Sequence, residues 1–216
     1  MIGGLGVGAT VHYYQALAKG HEQRRLPLHL LMVQADVHRV VGCVQAKQFG
    51  DLAEYFAALI GQLKAGGADF AVIPAVTPHI CIGELAAISA LPLIDILKVV
   101  HEAKIGKRIA LFGSRFTIET DLFGALGGEN TIQPQASEVD QIHEAYMRTA
   151  LRGEGAEEDR EALTCLARRL MERDGVEAIV FAGTDLALLF NEANTPFPFI
   201  DCAQLHIEAI MKRLLR

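Results

Sequence analysis

Short β-branched and aliphatic runs alternate along the chain with longer stretches of helical period, the pattern of a parallel sheet covered by helices on both faces. The runs predict strands near Leu28–Gln34, Phe70–Ala75, Leu91–Ile94, Arg108–Phe112, Glu177–Ala182 and Phe197–Ile200. The periodic stretches predict helices near Ala9–Gln23, Gln45–Ala65, Pro78–Ile88, Phe116–Leu126, Val139–Arg152, Glu157–Asp174, Asp185–Asn191 and Ala203–Leu215. Gly66-Gly67 and Gly175 stand where a helix should close shortly before a strand. The acidic run from Glu154 to Glu161 reads as a linker followed by a helix start.

The chain also resembles itself. A strand ending at Thr77, a short helix and a second strand ending at Asp95 recur as a strand ending at Thr184, a short helix and a strand ending at Asp201. The glycine turn from Gly4 to Thr10 has its counterpart in Gly113-Ser114-Arg115-Phe116-Thr117, and all these matches lie 106 to 109 residues apart. The expected fold class is therefore α/β, with two similar three-layer, doubly wound domains whose sheets are mostly parallel. Residues 1–98 plus 203–216 are expected to form the first domain and 99–202 the second. A ligand cleft is expected between them, where the strand C-termini of the two halves face each other.

Composition narrows the ligand. The 216 residues are 51% hydrophobic and 21% charged, which excludes a disordered chain, and no apolar run reaches the roughly 18 residues of a membrane span. A formal charge of −6 without a basic cluster longer than Arg24-Arg25 or Lys212-Arg213 argues against nucleic-acid binding. Cys43, Cys81, Cys165 and Cys202 are far apart and lack metal-ligand or disulfide-framework spacing, which fits a reducing cytoplasm. No export signal opens the sequence, although the glycine turn follows Met1 so abruptly that the true start could lie upstream. A small molecule is the expected partner, with no nucleic acid, membrane or metal; a homodimer is expected.

Several residues carry candidate chemistry. Gly4-Leu5-Gly6-Val7-Gly8-Ala9-Thr10 is a glycine turn entering a helix, so Gly6 and Thr10 suit a phosphate or carboxylate, or simply form a tight turn. Read as a dinucleotide fingerprint, with Asp36 as ribose acceptor, the same turn supports a nicotinamide enzyme as a weaker alternative. Thr77 and Thr184, at matched strand-to-helix junctions, either cap helices or bind a carboxylate together with Ser114 and Thr117. His79 at a helix start is disfavoured as a cation and so available for proton transfer, or else is a buried spacer; Asp185 suits a helix N-terminus in any case. Asp36-Val37-His38-Arg39 reads as a solvated turn, or as a mobile loop that brings Arg39 to a substrate carboxylate. His206 reads as a packing or supporting residue.

Over nearly its full length the sequence resembles the cofactor-independent aspartate/glutamate racemase superfamily. Gly3-Gly4-Leu5-Gly6-Val7-Gly8-Ala9-Thr10 is similar to that family's GGMGPxAT turn, Leu111–Glu119 to its GTxFTME segment, and Phe199-Ile200-Asp201 with His206 to its closing strand and helix. The resemblance implies two α/β domains related by a pseudo-two-fold axis, no cofactor, and catalysis by two cysteines on opposite faces of the substrate α-carbon. Those cysteines belong to CNTxH and GCTE motifs, which here read Ala75-Val76-Thr77-Pro78-His79 and Ala182-Gly183-Thr184-Asp185. Thr77, His79 and Thr184 match and Asp185 replaces Glu, but Ala75 and Gly183 stand where the thiols should be.

A positioned acid or base contributes roughly 10² to 10⁴-fold, so ordinary two-thiol racemisation should be lost. The expected remainder is a cleft lined by Gly6, Thr10, Arg39, Ala75, Val76, Thr77, Ser114, Thr117, Gly183 and Thr184, binding a small carboxylate or amino-acid derivative. His79, Asp185 and Cys202 are the candidate proton-handling groups of an isomerase or lyase; a catalytically inactive carboxylate-binding protein is the alternative. Cys81 is expected to point into the core. Small side chains at 75 and 183 are expected to leave the cleft centre enlarged.

Overall fold

A computed structural model describes residues 1–128 and 130–215. In the first half β1 (Ile2–Gly3) leads through the glycine turn into α1 (Val7–Gln23), followed by β2 (Val33–Gln34), α2 (Val37–Gln45), α3 (Phe49–Ala65), a 3-10 turn (Thr77–Cys81), α4 (Ile82–Ile88) and α5 (Ile96–Glu102). The second half contains β3 (Ile109–Phe112), α6 (Arg115–Glu119), α7 (Ala136–Arg152), α8 (Glu157–Asp174), β4 (Ala178–Phe181), a second 3-10 turn (Thr184–Leu188) and β5 (Phe199–Asp201), and the chain ends in α9 (Cys202–Leu214).

The strand pairs are parallel, and the two halves pair alike. In the second half β3 lies between Thr131 and β4, and β4 pairs with β5. In the first half β1 pairs with β2, the Ile2 amide donates to the Val72 carbonyl, and Ala71 bridges Leu93. β1, Ala71 and Leu93 thus take the places of β3, Ile179 and Phe199, so the strand order of the repeat read from the sequence reappears in the backbone bonding.

The first-half sheet is much less regular than expected. Leu28–Gln34 contributes only Val33–Gln34, and Phe70–Ala75 and Leu91–Ile94 meet through a single bridge. Proline accounts for part of this: Pro27, Pro74 and Pro92 each remove a ladder donor. The second-half strands β3 and β4 carry no proline and are buried on both faces.

Four helix expectations are also corrected. The predicted Gln45–Ala65 helix begins only at Phe49, because Lys47 turns left-handed at φ 57° and separates it from α2. Phe116–Leu126 is helical only to Glu119, since Asp121, Leu122 and Phe123 all adopt positive φ. Asp185–Asn191 is a 3-10 turn, and Pro78–Ile88 divides into a 3-10 turn and α4. The segment after Asp95 was not expected to be helical, yet the Asp95 carboxylate accepts the Leu97 amide at 2.8 Å and starts α5.

Three apolar clusters hold these elements. One surrounds β3, β4 and the buried faces of α7 and α8, a second packs α3 on the first-half strands, and a third joins Tyr13 and Leu17 of α1 to Ala203, Ile207 and Ile210 of α9. The terminal helix therefore returns to the first half. At the facing edge of the second half, Gly113 lets β3 approach the end of β4: a Cβ there would lie 2.8 Å from the Ala182 carbonyl oxygen. Backbone cannot yield as a flexible side chain can, so Gly113→Ala should destabilise the protein by about 1–3 kcal/mol. Equilibrium urea unfolding checks this value.

Candidate active site

The glycine turn of the first half and the Thr184 turn of the second meet directly. Asp185 lies over the start of α1, where its Oδ1 accepts the Ala9 amide at 3.2 Å. A Cβ at Gly6 would stand 2.6 Å from both carboxylate oxygens, so this approach requires glycine at that position. Beside it, the Thr184 hydroxyl donates to the Pro74 carbonyl at 3.2 Å, joining the ends of the two matched strand motifs. The helix N-terminus is suited to negative charge, and here it holds a carboxylate of the same chain.

Burial decides the protonation behaviour of Asp185. The residue is only 3% exposed, and desolvation raises its pKa to about 6 despite the Ala9 amide, which favours the anion. Tyr146 of α7 lies against the same carboxylate, and burial with that charge nearby pushes its phenol well above the ordinary value. Its ring also corrects the expectation of an enlarged centre. A Cβ at Gly183 would clash with the Tyr146 ring, standing 2.9 Å from Cζ and 3.0 Å from Cδ2. The space beside Gly183 is thus filled by an aromatic side chain. Tyr146 was not recognised from the sequence; the only available signal was an aromatic residue in an otherwise largely polar helix.

On the other side, His79 is 2% exposed, and its Nδ1–H donates to the Ala75 carbonyl at 2.8 Å. Its ring stands edge-on to that of His206, with centroids 6.4 Å apart. His206 donates from Nε2 to the Ile94 carbonyl at 2.9 Å, so its Nδ1 accepts the Tyr13 hydroxyl at 3.1 Å. Both imidazoles are held neutral: desolvation lowers the pKa of His79 to about 4 and that of His206 to about 3. The supporting role expected of His206 fits these contacts.

The remaining candidates divide into two groups. Thr10 accepts the Gly4 amide and donates to the Gly6 carbonyl, which shapes the glycine turn. Ser114 caps α6 by accepting the Thr117 amide, and the Thr117 hydroxyl donates to the Ser114 carbonyl. Val76 and Ala75 are buried beside the half-buried Thr77 at the start of the first 3-10 turn. The other group is directed elsewhere. Asp36 caps α2 through the His38 and Arg39 amides, and the Arg39 guanidinium lies 4.3 Å above the Tyr55 ring.

The capping role also commits the proposed ribose acceptor of the nicotinamide alternative. Cys202 is fully buried at the start of α9, where burial and Asp201 raise its thiol pKa far beyond reach. Cys81 is buried as expected, its Sγ directed to the Pro78 carbonyl, with its pKa pushed up to about 11. Among the described residues no group of three His, Cys, Asp or Glu could hold a metal ion, and no helix is long and apolar enough to cross a membrane.

A family model described as Asp/Glu/Hydantoin racemase matches residues 2–210. The fold is similar to that of an aspartate racemase homologue from Pyrococcus horikoshii, with a TM-score of 0.80, 18% identity and coverage of 100% of this chain and 97% of that one. It is also similar to Picrophilus torridus aspartate racemase, with a TM-score of 0.74, 18% identity and coverage of 98% and 91%. A third likeness is to glutamate racemase from Thermus thermophilus in complex with β-chloro-D-alanine, with a TM-score of 0.60, 19% identity and coverage of 99% and 79%.

The buried groups set opposing pH dependences. His79 and His206 bind protons more readily when unfolded, so their contribution to stability is lost as pH falls through 6.5 toward about 4 and about 3. Asp185 and Asp201 have pKa values raised to about 6, so the folded state takes up their protons first, and acidification from about 6 to 3.8 favours folding. His79→Gln should therefore lose less stability than the parent between pH 7 and 4.5, by about 2 kcal/mol. Asp185→Asn should steepen the acid loss. Urea unfolding across this range checks both slopes.

Proposed function

The chain belongs to the Asp/Glu/hydantoin racemase family, and from that premise we propose that it binds a small carboxylate or amino-acid-like compound between its halves without two-thiol racemisation. The observation that carries this reading is the Tyr146 ring in the space above Gly183. Alanine at 75 and glycine at 183 offer neither base nor nucleophile, and the ring against Gly183 supports a reading in which no substrate α-carbon reaches that position. The domains proposed are residues 1–98 plus 203–216 and residues 99–202; the return of α9 onto α1 supports this division.

Ligand entry would part Thr184 from Pro74 and lift Asp185 from the Ala9 amide. The Ala9 amide and the hydroxyls of Thr184 and Thr77 would then be free to donate to a carboxylate. Asp185 and the ligand would compete for one positive helix end, so protonating Asp185 should strengthen binding. The sign follows from its raised pKa: affinity rises as pH falls through about 6.

A second reading, an isomerase or lyase that moves a proton with Asp185 and His79, is favoured by their opposed shifts. One carboxyl is raised to about 6 while an imidazole is lowered to about 4, both by burial, which disfavours the charged form of each and leaves both able to take part in proton transfer near neutral pH.

Proton exchange at the α-carbon in deuterated buffer, with a panel of amino and hydroxy acids, separates the two readings. The first predicts no exchange of aspartate or glutamate, with carboxylate-dependent thermal stabilisation that is larger at pH 5.5 than at pH 7.5. Exchange with any compound, abolished in Asp185→Asn, would replace the first reading with the second.

A further inference from the structure

At the N-terminal end of β3, away from the cleft, a cavity of about 590 Å³ lies between the end of α5 and the loop that follows α6. Its floor is apolar. Val100 and Ile109 belong to the core of the second half, and Ile105 and Leu126 pack against that core. Thr131, which bridges Ile109 at the edge of the sheet, lines it as well. The loop is tied to the helix by His101, whose Nδ1–H donates to the Ala125 carbonyl at 2.9 Å. Both residues line the cavity, so this bond fixes its walls. A volume of this order is typical of a small-molecule site.

The rim carries both signs of charge. Glu102 and Lys104 stand two residues apart at the opening, and both are exposed. Glu102 reaches Lys98 at 3.9 Å, but these side chains are 64% and 71% exposed. An ion pair in that much water contributes little, so a ligand can replace it. In the neutral His101 ring, commitment of Nδ1–H to Ala125 leaves Nε2 as a further acceptor.

We propose that this cavity binds a free amino acid with a large apolar side chain. Its ammonium faces Glu102, its carboxylate faces Lys104, and its side chain covers Val100, Ile105, Ile109 and Leu126. An inorganic anion would leave that floor in water, and a hydrocarbon would leave both charges without partners. A zwitterion with an apolar body matches floor and rim together. The site is separate from the cleft. The 7 residues of α5 span about 10 Å between them, and Ile94, whose carbonyl holds His206, lies at the helix's far end.

Calorimetry on the full chain with L-phenylalanine as the probe tests the proposal. The expected result is saturable binding with a Kd of roughly a millimolar or below, the range open to about twelve non-hydrogen atoms. L-phenylalaninamide and N-acetyl-L-phenylalanine, each lacking one charge, should bind about fivefold more weakly. Lys104→Gly and Glu102→Gln should weaken L-phenylalanine binding by a similar factor. Lys104 already holds φ at 47°, a conformation glycine adopts freely, so the first of these variants keeps the fold. Ala125→Trp, which fills the cavity, should abolish binding, while Asp185→Asn, a change in the cleft, should leave it unaltered. Circular dichroism matching the parent shows that each variant is folded. A parent that does not bind the probe would overturn the proposal. So would full binding by folded Lys104→Gly and Glu102→Gln, or loss in Asp185→Asn, since either result places the probe in the cleft.

Discussion

The centre of this molecule depends on one close approach across its two halves, the Asp185 carboxylate resting over Gly6 and accepting the Ala9 amide in the first turn of α1. The helix end supplies partial positive charge and unpaired amides, and the absence of a Cβ at Gly6 admits the carboxylate. The Thr184 hydroxyl on the Pro74 carbonyl makes a second link beside it. Two strand-to-helix junctions that lie more than a hundred residues apart in the sequence are therefore held within hydrogen-bonding distance of each other.

That approach determines the surrounding side chains. Once Asp185 is buried, its charge must be tolerated by neighbours that are themselves desolvated, and its pKa rises accordingly. Tyr146 occupies the remaining space above Gly183, which is open to it only because position 183 has no side chain. His79 and His206 each give their N–H to a main-chain carbonyl, which fixes the tautomer, while burial keeps both rings neutral. The polar groups of the centre are thus largely bonded to the chain itself, an arrangement that rigidifies a site more than it activates one.

Much of this was legible in the sequence because it rests on local residue type or on repetition. The matched offsets give the two-half α/β plan, which reappears in the correspondence of β1, Ala71 and Leu93 with β3, Ile179 and Phe199. The Thr184-Asp185 turn and the glycine turn were identified as site elements, and they meet. What was not legible depends on tertiary contact. Apolar runs such as Leu28–Gln34 announce a strand, but hydrogen-bond pairing beside prolines is settled only when the neighbouring strands are placed. Tyr146 carries no motif, and its importance comes from the empty space at Gly183 on another element. Arg39 looked free to reach a ligand because neither the Asp36 cap nor the Tyr55 ring beneath it is apparent from spacing.

The central proposal is that the Tyr146 ring, together with Ala75 and Gly183, keeps this chain from two-thiol racemisation. Its most direct test compares the Ala75→Cys/Gly183→Cys pair with the same pair carrying Tyr146→Ala, measuring exchange of the α-proton of aspartate and glutamate in deuterated buffer. The account predicts exchange only when the ring has been removed. Equal rates with and without Tyr146 would contradict it.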